Sequence, residues 1–265
     1  MSSPTEISDQ DKPDQVDIER LTSVAYAAHR TQCLEHKKWA LMLVQKYLSM
    51  DTFRQKFTLP SLRRILTLGV LQKNEETQQL AWRAWLDLLS SNPECSSRDA
   101  LTFGEKFNLR QFQGHIYYNE ILRRMKPLQY ENSCGVGLSN NDFNPEQLLC
   151  LHRGLCSLMV YWRTLRDPPD VEGITDKFRS CHALCRMEWQ RCWNWGNGDR
   201  VDGSTVIIDP LGALEALSRD RPRPHPCPCK TFQKNARDIY EHMYVTMGDH
   251  FLGPPAVVPP VIQTM

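Results

Sequence analysis

The chain has no long apolar run and no leader-like start. Hydrophobic residues make up 41% of its 265 residues, but no stretch approaches the roughly 18 uninterrupted apolar residues that a transmembrane helix needs. The opening residues, MSSPTEISDQDKPDQ, lack the cationic, apolar and small-residue order of a signal peptide. We therefore expect a protein that folds in the cytosol or nucleus and does not span a bilayer.

Motifs of common active sites are also missing. The sequence contains no phosphate-cradling glycine loop, no His-Glu-x-x-His and no Gly-x-Ser-x-Gly. The segment CGVGLS (134–139) has glycines, but it lacks the strand before it and the helix after it that a phosphate-binding loop requires. We therefore predict that the protein is not an enzyme and that its eight scattered histidines are surface or core residues.

Strand-like alternation of polar and apolar residues is rare, whereas helical spacing recurs along the chain. The pattern predicts an all-α fold with a multi-helix N-terminal domain, built from two packed helical bundles, and a smaller helical C-terminal domain. Composition predicts four segments: a disordered acidic head, the N-terminal helical domain, a linker, and a C-terminal helical region with a proline-rich tail, at 1–17, 18–195, 196–206 and 207–265.

Apolar spacing and capping residues locate the individual helices. Asn74 is expected to cap one helix, and Ser96 with Asp99 has the spacing of a capping box before another. A further helix that starts at Asn144 is expected to be almost wholly buried. In the aromatic- and amide-rich stretch 107–130, only 117–125 is predicted to be helical. The other predicted helices cover 18–30, 34–48, a segment from 60 onward, 174–193, 211–217 and 231–247.

Charge is nearly balanced overall, at +1, but it is unevenly distributed. Residues 1–20 hold six acidic residues against two basic ones, a balance of −4, whereas residues 30–64 hold eight basic residues and two acidic ones, a balance of +6. Such a region is either a solvated helix face or a surface that attracts anionic partners, such as phosphates or acidic lipid headgroups.

Ten cysteines in a reducing compartment favour free thiols or metal ligands over disulfides. Three of them lie in CHALCRMEWQRC (181–192). On a straight helix Cys181 and Cys185 are about 6 Å apart along the axis, but Cys192 is about 16 Å from Cys181, so one helix cannot bring all three to one metal. Buried core thiols, a zinc site that includes His182 and Cys185, and redox chemistry all stay open.

Three segments together resemble the matrix proteins of orthomyxoviruses. They are LPSLRRILTLGVLQKNEETQQLAWRAWLDLLSSNP (59–93), FQGHIYYNEI (112–121) and GLCSLMVYWRTLRDPPDVEGITDKFRSCHALCRMEWQ (154–190). The order and spacing of these segments carry the resemblance, which spans about residues 40–192. Size and divergence suggest a thogotovirus-like or quaranjavirus-like member.

The resemblance implies a viral matrix structural protein that polymerises under the envelope and drives assembly and budding. Its implied partners are other copies of itself, the anionic inner leaflet, the viral ribonucleoprotein or nucleoprotein, and RNA bound without sequence specificity. The implied locations are the virion beneath the envelope, the host cytoplasm and nucleus, and the inner face of the plasma membrane. The alternatives are an intracellular helical adaptor or zinc-stabilised interaction module, and a nucleic-acid-binding regulator.

Two departures from the family pattern affect the expected sites. The first cysteine of the family's pair is replaced by His182, so no cofactor is expected, although zinc at His182 and Cys185 stays open. The family's basic cluster aligns with RDALTFGEKFNLR (98–110), which keeps only Lys106 and Arg110 near its centre and end. The basic set predicted to bind membrane or RNA therefore combines residues from several helices: Lys37, Lys38, Arg54, Lys56, Arg63, Arg64, Lys106, Arg110, Arg123, Arg124 and Lys126.

Overall fold

A computed structural model describes residues 17–92, 95–125, 143–165, 209–218 and 231–254. Within these ranges the chain forms helices and turns without strands, which confirms the predicted all-α class. The helices are α1 (Ile18–Arg30), α2 (Leu34–Leu48), α3 (Asp51–Arg54), α4 (Leu59–Leu71), α5 (Glu75–Ser91), α6 (Ser97–Lys106), α7 (Arg110–Met125), α8 (Pro145–Thr164), α9 (Pro210–Ser218) and α10 (Thr231–Leu252).

The chain divides into two compact units, Met1–Asp99 and Ala100–Met265. In the first unit α1 packs against α2 and α4, α4 packs against α5, and α2 also contacts α3 and α5. Burial of apolar side chains between these helices supplies most of the stabilising free energy. The largest fully buried side chains of this unit are Leu48, Leu62, Ile65, Leu66, Leu68 and Trp85.

Side chains cap α1, α4 and α5 in the first unit, whereas α2 and α3 begin without a side-chain cap. The Asn74 side chain accepts a hydrogen bond from the Thr77 N–H at 3.0 Å, which confirms the predicted cap of α5. Ser96 Oγ accepts from the Asp99 N–H at 3.2 Å at the start of α6. These bonds satisfy backbone donors that have no partner inside the helix.

Three helices end in the same left-handed turn. Gln32, Lys73 and Asn108 have φ angles of 57°, 53° and 51°. In each turn the backbone N–H of the residue after the left-handed one donates to the carbonyl five residues before it. This is the pattern of a Schellman motif, in which the left-handed residue is commonly glycine. The donor and acceptor pairs are Cys33 to Ala28, Asn74 to Gly69, and Leu109 to Gly104.

In the second unit α10 packs against α7, α8 and α9. Two glycines allow α7 and α10 to approach closely: a Cβ on Gly114 would lie 2.5 Å from the backbone nitrogen of Gly248. A Cβ on Gly154 of α8 would lie 1.9 Å from the ring of Phe251. Since heavy atoms without a bond between them do not approach so closely, these contacts require glycine.

Polar bonds between distant parts of the sequence tie the second unit together. Arg110, at the start of α7, forms an ion pair with Asp249 at 3.1 Å and donates to the Gly253 carbonyl, just beyond the end of α10. Tyr118 donates to Asp209 at 2.6 Å, and burial raises the pKa of Tyr118 so that it stays a neutral donor. Asp209 also caps α9 by accepting from the Gly212 N–H at 2.8 Å.

Two helix predictions were wrong. Helix α7 begins at Arg110 rather than at residue 117, because Phe112 and Ile116 are buried against the rest of the unit and tertiary packing stabilises the earlier turns. Helix α8 begins as predicted, with reciprocal bonds between Asn144 and Gln147, but it is not wholly buried. It exposes apolar side chains at Leu149, Met159 and Val160.

The boundary between the two compact units follows Asp99. The predicted linker at 196–206, the acidic head up to residue 16 and the helix at 174–193 lie outside the described residues. The C-terminal helix α10 shares a unit with α7 and α8. In the part of the chain that the structure describes, no helix is both long and apolar enough to cross a membrane.

Candidate functional site

Most arginines of the predicted basic set form ion pairs within their own unit. Arg63 pairs with Asp99 at 3.4 Å and its guanidinium lies 5.6 Å from the centre of the Trp85 ring. Arg64 pairs with Glu19 at 3.5 Å. These two arginines, which the sequence directs away from the core, therefore join α4 to α6 and to α1.

Glu19 is the centre of a small polar network at the start of α4. It accepts hydrogen bonds from Ser61 Oγ at 2.6 Å and from the Thr58 hydroxyl. The bond from Ser61, then that from Thr58 and the charge of Arg64 hold the pKa of Glu19 below its ordinary value. The carboxylate is therefore ionised at neutral pH, and its charge is already opposed to Arg64.

Arg54 and Lys56 have partners close to the end of α3. Arg54 pairs with Asp51 at 3.0 Å and with Asp87 at 3.1 Å, and it also donates to the Leu48 carbonyl at 3.2 Å. The ammonium of Lys56 lies 4.6 Å from the centre of the Phe53 ring. Arg54 thus fastens α3 to α5, and its charge is largely compensated.

A buried carboxylate organises the two arginines at the end of α7. Glu120 is 1% exposed and pairs with Arg123 at 2.9 Å and with Arg124 at 2.6 Å. Burial alone would raise the pKa of Glu120, but the hydrogen bonds and charges of the two arginines outweigh it and leave the pKa lowered. Arg124 also lies 5.1 Å from the centre of the Phe143 ring.

Among the other predicted basic residues, Arg110 binds the end of α10, and the ammonium of Lys106 lies 5.3 Å from the centre of the Phe107 ring. Lys126, His182 and Cys185 lie outside the described residues. Within the ranges that the structure describes, no three His, Cys, Asp or Glu side chains are grouped closely enough to hold a metal ion.

The remaining members of the set, Lys37 and Lys38, lie on α2. Lys38 is exposed, Lys37 is half-buried, and neither forms an ion pair within the described residues. Four exposed side chains on this helix are spaced four residues apart, which places them next to each other on its surface, and Glu35 is exposed near the start of the helix as well. This α2 row, about 18 Å long from end to end, consists of Leu34, Lys38, Met42 and Lys46.

The α2 row mixes apolar and cationic side chains. Leu34 is 62% exposed and Met42 is 60% exposed. The basic set predicted from the sequence did not include these two exposed apolar residues. Their four-residue spacing with Lys38 and Lys46 was the signal that could have identified the row.

A thiol and an imidazole meet at the start of the same helix. Cys33 is the N-cap residue of α2, and its Sγ lies 2.9 Å from His36 Nδ1. Both residues are half-buried. Depending on which ring nitrogen carries the proton, Nδ1 accepts a hydrogen bond from the thiol or donates one to the thiolate.

A second pair of groups that can exchange a proton joins α8 to α10. Ser157 Oγ lies 2.8 Å from His250 Nδ1, and burial lowers the pKa of His250. Both residues lie inside helices, where the neighbouring backbone N–H groups already donate to carbonyls four residues earlier. The local backbone therefore offers no donors for an oxyanion, and the pair acts as a bond between helices.

No protein-family model, curated protein or solved structure matches this chain.

Proposed function

We propose that this protein is a matrix-type structural protein that lies on an anionic membrane surface and assembles there into a layer. The α2 row is the observation that carries the proposal. Exposed apolar and cationic side chains alternate along it, which is the composition of helices that bind in the plane of a membrane interface. Lys37 lies beside the row and adds a third positive charge.

The row suits a protein that attaches as a polymer rather than as a single copy. Each Lys near an anionic leaflet contributes about 1 kcal/mol, so the three lysines give one molecule weak affinity. Linked copies bind the same surface together, and their combined affinity greatly exceeds that of one copy. In the proposed layer, the other side contacts the viral ribonucleoprotein, as the family resemblance implies.

The test is co-sedimentation of the full chain with vesicles of neutral lipid alone and of neutral lipid mixed with phosphatidylserine. The double substitution Lys38→Glu with Lys46→Glu should weaken binding to the anionic vesicles by about 30-fold or more, because about 2 kcal/mol of attraction is lost. The matched control is Lys234→Glu with Arg237→Glu, since both residues are exposed on α10 and the change in net charge is identical.

Equal losses in the two double variants would show that net charge, rather than the α2 row, determines binding. If the wild-type protein does not co-sediment with anionic vesicles at any protein concentration, the proposal itself is refuted. Electron microscopy of the pelleted vesicles tests assembly, because a matrix layer gives ordered arrays that depend on protein concentration and on anionic lipid. A helical adaptor instead predicts one stoichiometric partner and no such array.

A further inference from the structure

The proposed membrane function leaves the Cys33–His36 pair without a role. The N-cap position commonly holds a side chain that accepts a hydrogen bond from the first turn, but the Cys33 side chain makes no such bond. It lies instead beside the imidazole, at 2.9 Å from Nδ1. The carbonyl of Cys33 accepts from the Lys37 N–H, so the backbone of the residue is fixed at the start of the helix.

We infer that Cys33 is an S-acylation site, at which a long-chain acyl group is attached to the thiol as a thioester. The inference rests on the proposed function, because the acyl chain would reinforce contact between the α2 row and the membrane. It depends on two observations that are independent of each other. One is the imidazole beside the thiol, and the other is the exposed apolar surface that begins at the next residue.

The imidazole supplies the base that thioester exchange requires. The thiolate is the nucleophilic form of cysteine, and His36 takes the Cys33 proton as the sulfur attacks the carbonyl carbon of an acyl-coenzyme A. A new bond forms between Sγ and the acyl carbon, and the bond from that carbon to the sulfur of coenzyme A breaks. The coenzyme A thiolate leaves with the proton that the imidazolium returns, so nothing is oxidised or reduced.

The side chains around Cys33 suit both the acyl chain and the phosphates of acyl-coenzyme A. Leu34 is 62% exposed directly after Cys33, and Met42 is 60% exposed two helical turns further on. An acyl chain bound to Sγ would therefore start at the apolar end of the α2 row. Lys37 and Lys38 lie within the first turns and attract the phosphates of coenzyme A.

An acyl chain would also change the strength of attachment. One acyl chain alone gives only marginal, reversible membrane binding, whereas one chain combined with a basic patch gives stable anchoring. The α2 row would supply that second component on the helix that begins at Cys33. Cysteines on amphipathic helices are reversible palmitoylation sites in other proteins.

The experiment incubates the purified full chain with palmitoyl-coenzyme A and measures the acylation rate at each of the ten cysteines by peptide mass spectrometry. Release by neutral hydroxylamine identifies thioesters. We expect Cys33 to acylate at least about tenfold faster than Cys156, and His36→Gln to slow acylation at Cys33 by about tenfold or more without changing Cys156, as expected for the loss of a general base.

Cys156 is the matched control because it is an exposed free thiol, whereas Cys33 is half-buried. If exposure alone sets the rate, Cys156 reacts faster than Cys33, and that result overturns the inference. An unchanged Cys33 rate in His36→Gln also overturns it. Circular dichroism checks that the variant keeps its helical content.

Co-sedimentation separates this inference from the proposed function. Unmodified protein that binds anionic vesicles but is not acylated at Cys33 would refute only the acylation site. Protein that is acylated at Cys33 but, before modification, does not bind anionic vesicles would refute only the proposed lipid contact of the α2 row. Where both hold, acylated wild-type protein stays on the vesicles after dilution, while Cys33→Ser is released.

Discussion

At the scale of single residues, the arginines of the predicted basic set form ion pairs with acidic side chains of their own unit. Glu120 shows this best, because a carboxylate that is 1% exposed is stable only while its two arginines remain in place. The sequence predicted Arg123 and Arg124 as membrane or RNA ligands from their charge. In the folded protein, part of the charge of these two arginines neutralises a buried acid.

The substitution Glu120→Gln should lower the free energy of unfolding by about 3 kcal/mol at pH 7, since it leaves the largely buried Arg124 and the half-exposed Arg123 without their anion. The pKa of Glu120 in the folded protein is below its ordinary value of 4.5. Its contribution is therefore fully present above about pH 4.5 and is lost as the pH falls through the folded-state pKa.

Urea unfolding between pH 7 and pH 3 measures this effect. The difference between wild type and Glu120→Gln should shrink as the pH falls, because both proteins are then neutral at position 120. An equal difference at every pH would show that the amide disrupts packing rather than an ion pair.

A substitution at Lys73 is expected to stabilise the protein rather than destabilise it. With φ of 53° it holds the left-handed turn that ends α4, where residues with a Cβ are strained. The substitution Lys73→Gly should raise the free energy of unfolding by about 0.5 kcal/mol, after allowing for the greater freedom of glycine in the unfolded chain. Lys73→Ala is the control, since it removes the same charge but keeps the Cβ, and it should give no gain in thermal unfolding experiments.

At the scale of helices, features that depend on residues close in sequence were predicted correctly. Features that depend on packing against distant helices were not. The cap at Asn74 and the paired bonds of Asn144 and Gln147 depend on residues three positions apart, so they could be predicted. The early start of α7 depends on burial against helices that are far away in sequence. The exposure of Leu149 on α8 likewise depends on which neighbours cover that helix, which periodicity does not specify.

The close contact of Gly154 with Phe251 predicts that a substitution at one position is compensated by a substitution at the other. Gly154→Ala should destabilise the second unit by about 1 to 3 kcal/mol, despite the better helix propensity of alanine, because the new Cβ overlaps the phenyl ring. Phe251→Leu makes room, so in the double variant the cost of Gly154→Ala should fall.

Gly114→Ala is the matched comparison, since its Cβ would meet the backbone nitrogen of Gly248 at 2.5 Å rather than a side chain. Phe251→Leu should not relieve that substitution. Chemical unfolding of the three single variants and the two double variants gives the coupling energy of Phe251→Leu with each glycine substitution. Equal rescue of the two glycine variants would mean that the packing is looser than the structure indicates.

At the scale of the whole molecule, the fold class followed from the sequence but the surface did not. Helical periodicity is a local property, and it gave the all-α class directly. Whether a basic residue is available to a partner depends on acids elsewhere in the chain, as the pairs of Arg64 with Glu19 and Arg110 with Asp249 show. Of the predicted basic set, Lys37 and Lys38 lie on the helix that carries the α2 row.

Salt should therefore weaken attachment to anionic vesicles without abolishing it. The screening length falls from about 10 Å at 0.1 M salt to about 3 Å at 1 M, which suppresses the attraction of the lysines but leaves the burial of Leu34 and Met42 intact. The double substitution Leu34→Ser with Met42→Ser should keep the salt sensitivity and lose the fraction bound at high salt. Co-sedimentation across a salt series measures both components. If the serine variant instead resisted salt as well as wild type does, Leu34 and Met42 would not contact lipid, and the salt-resistant binding would come from another part of the chain.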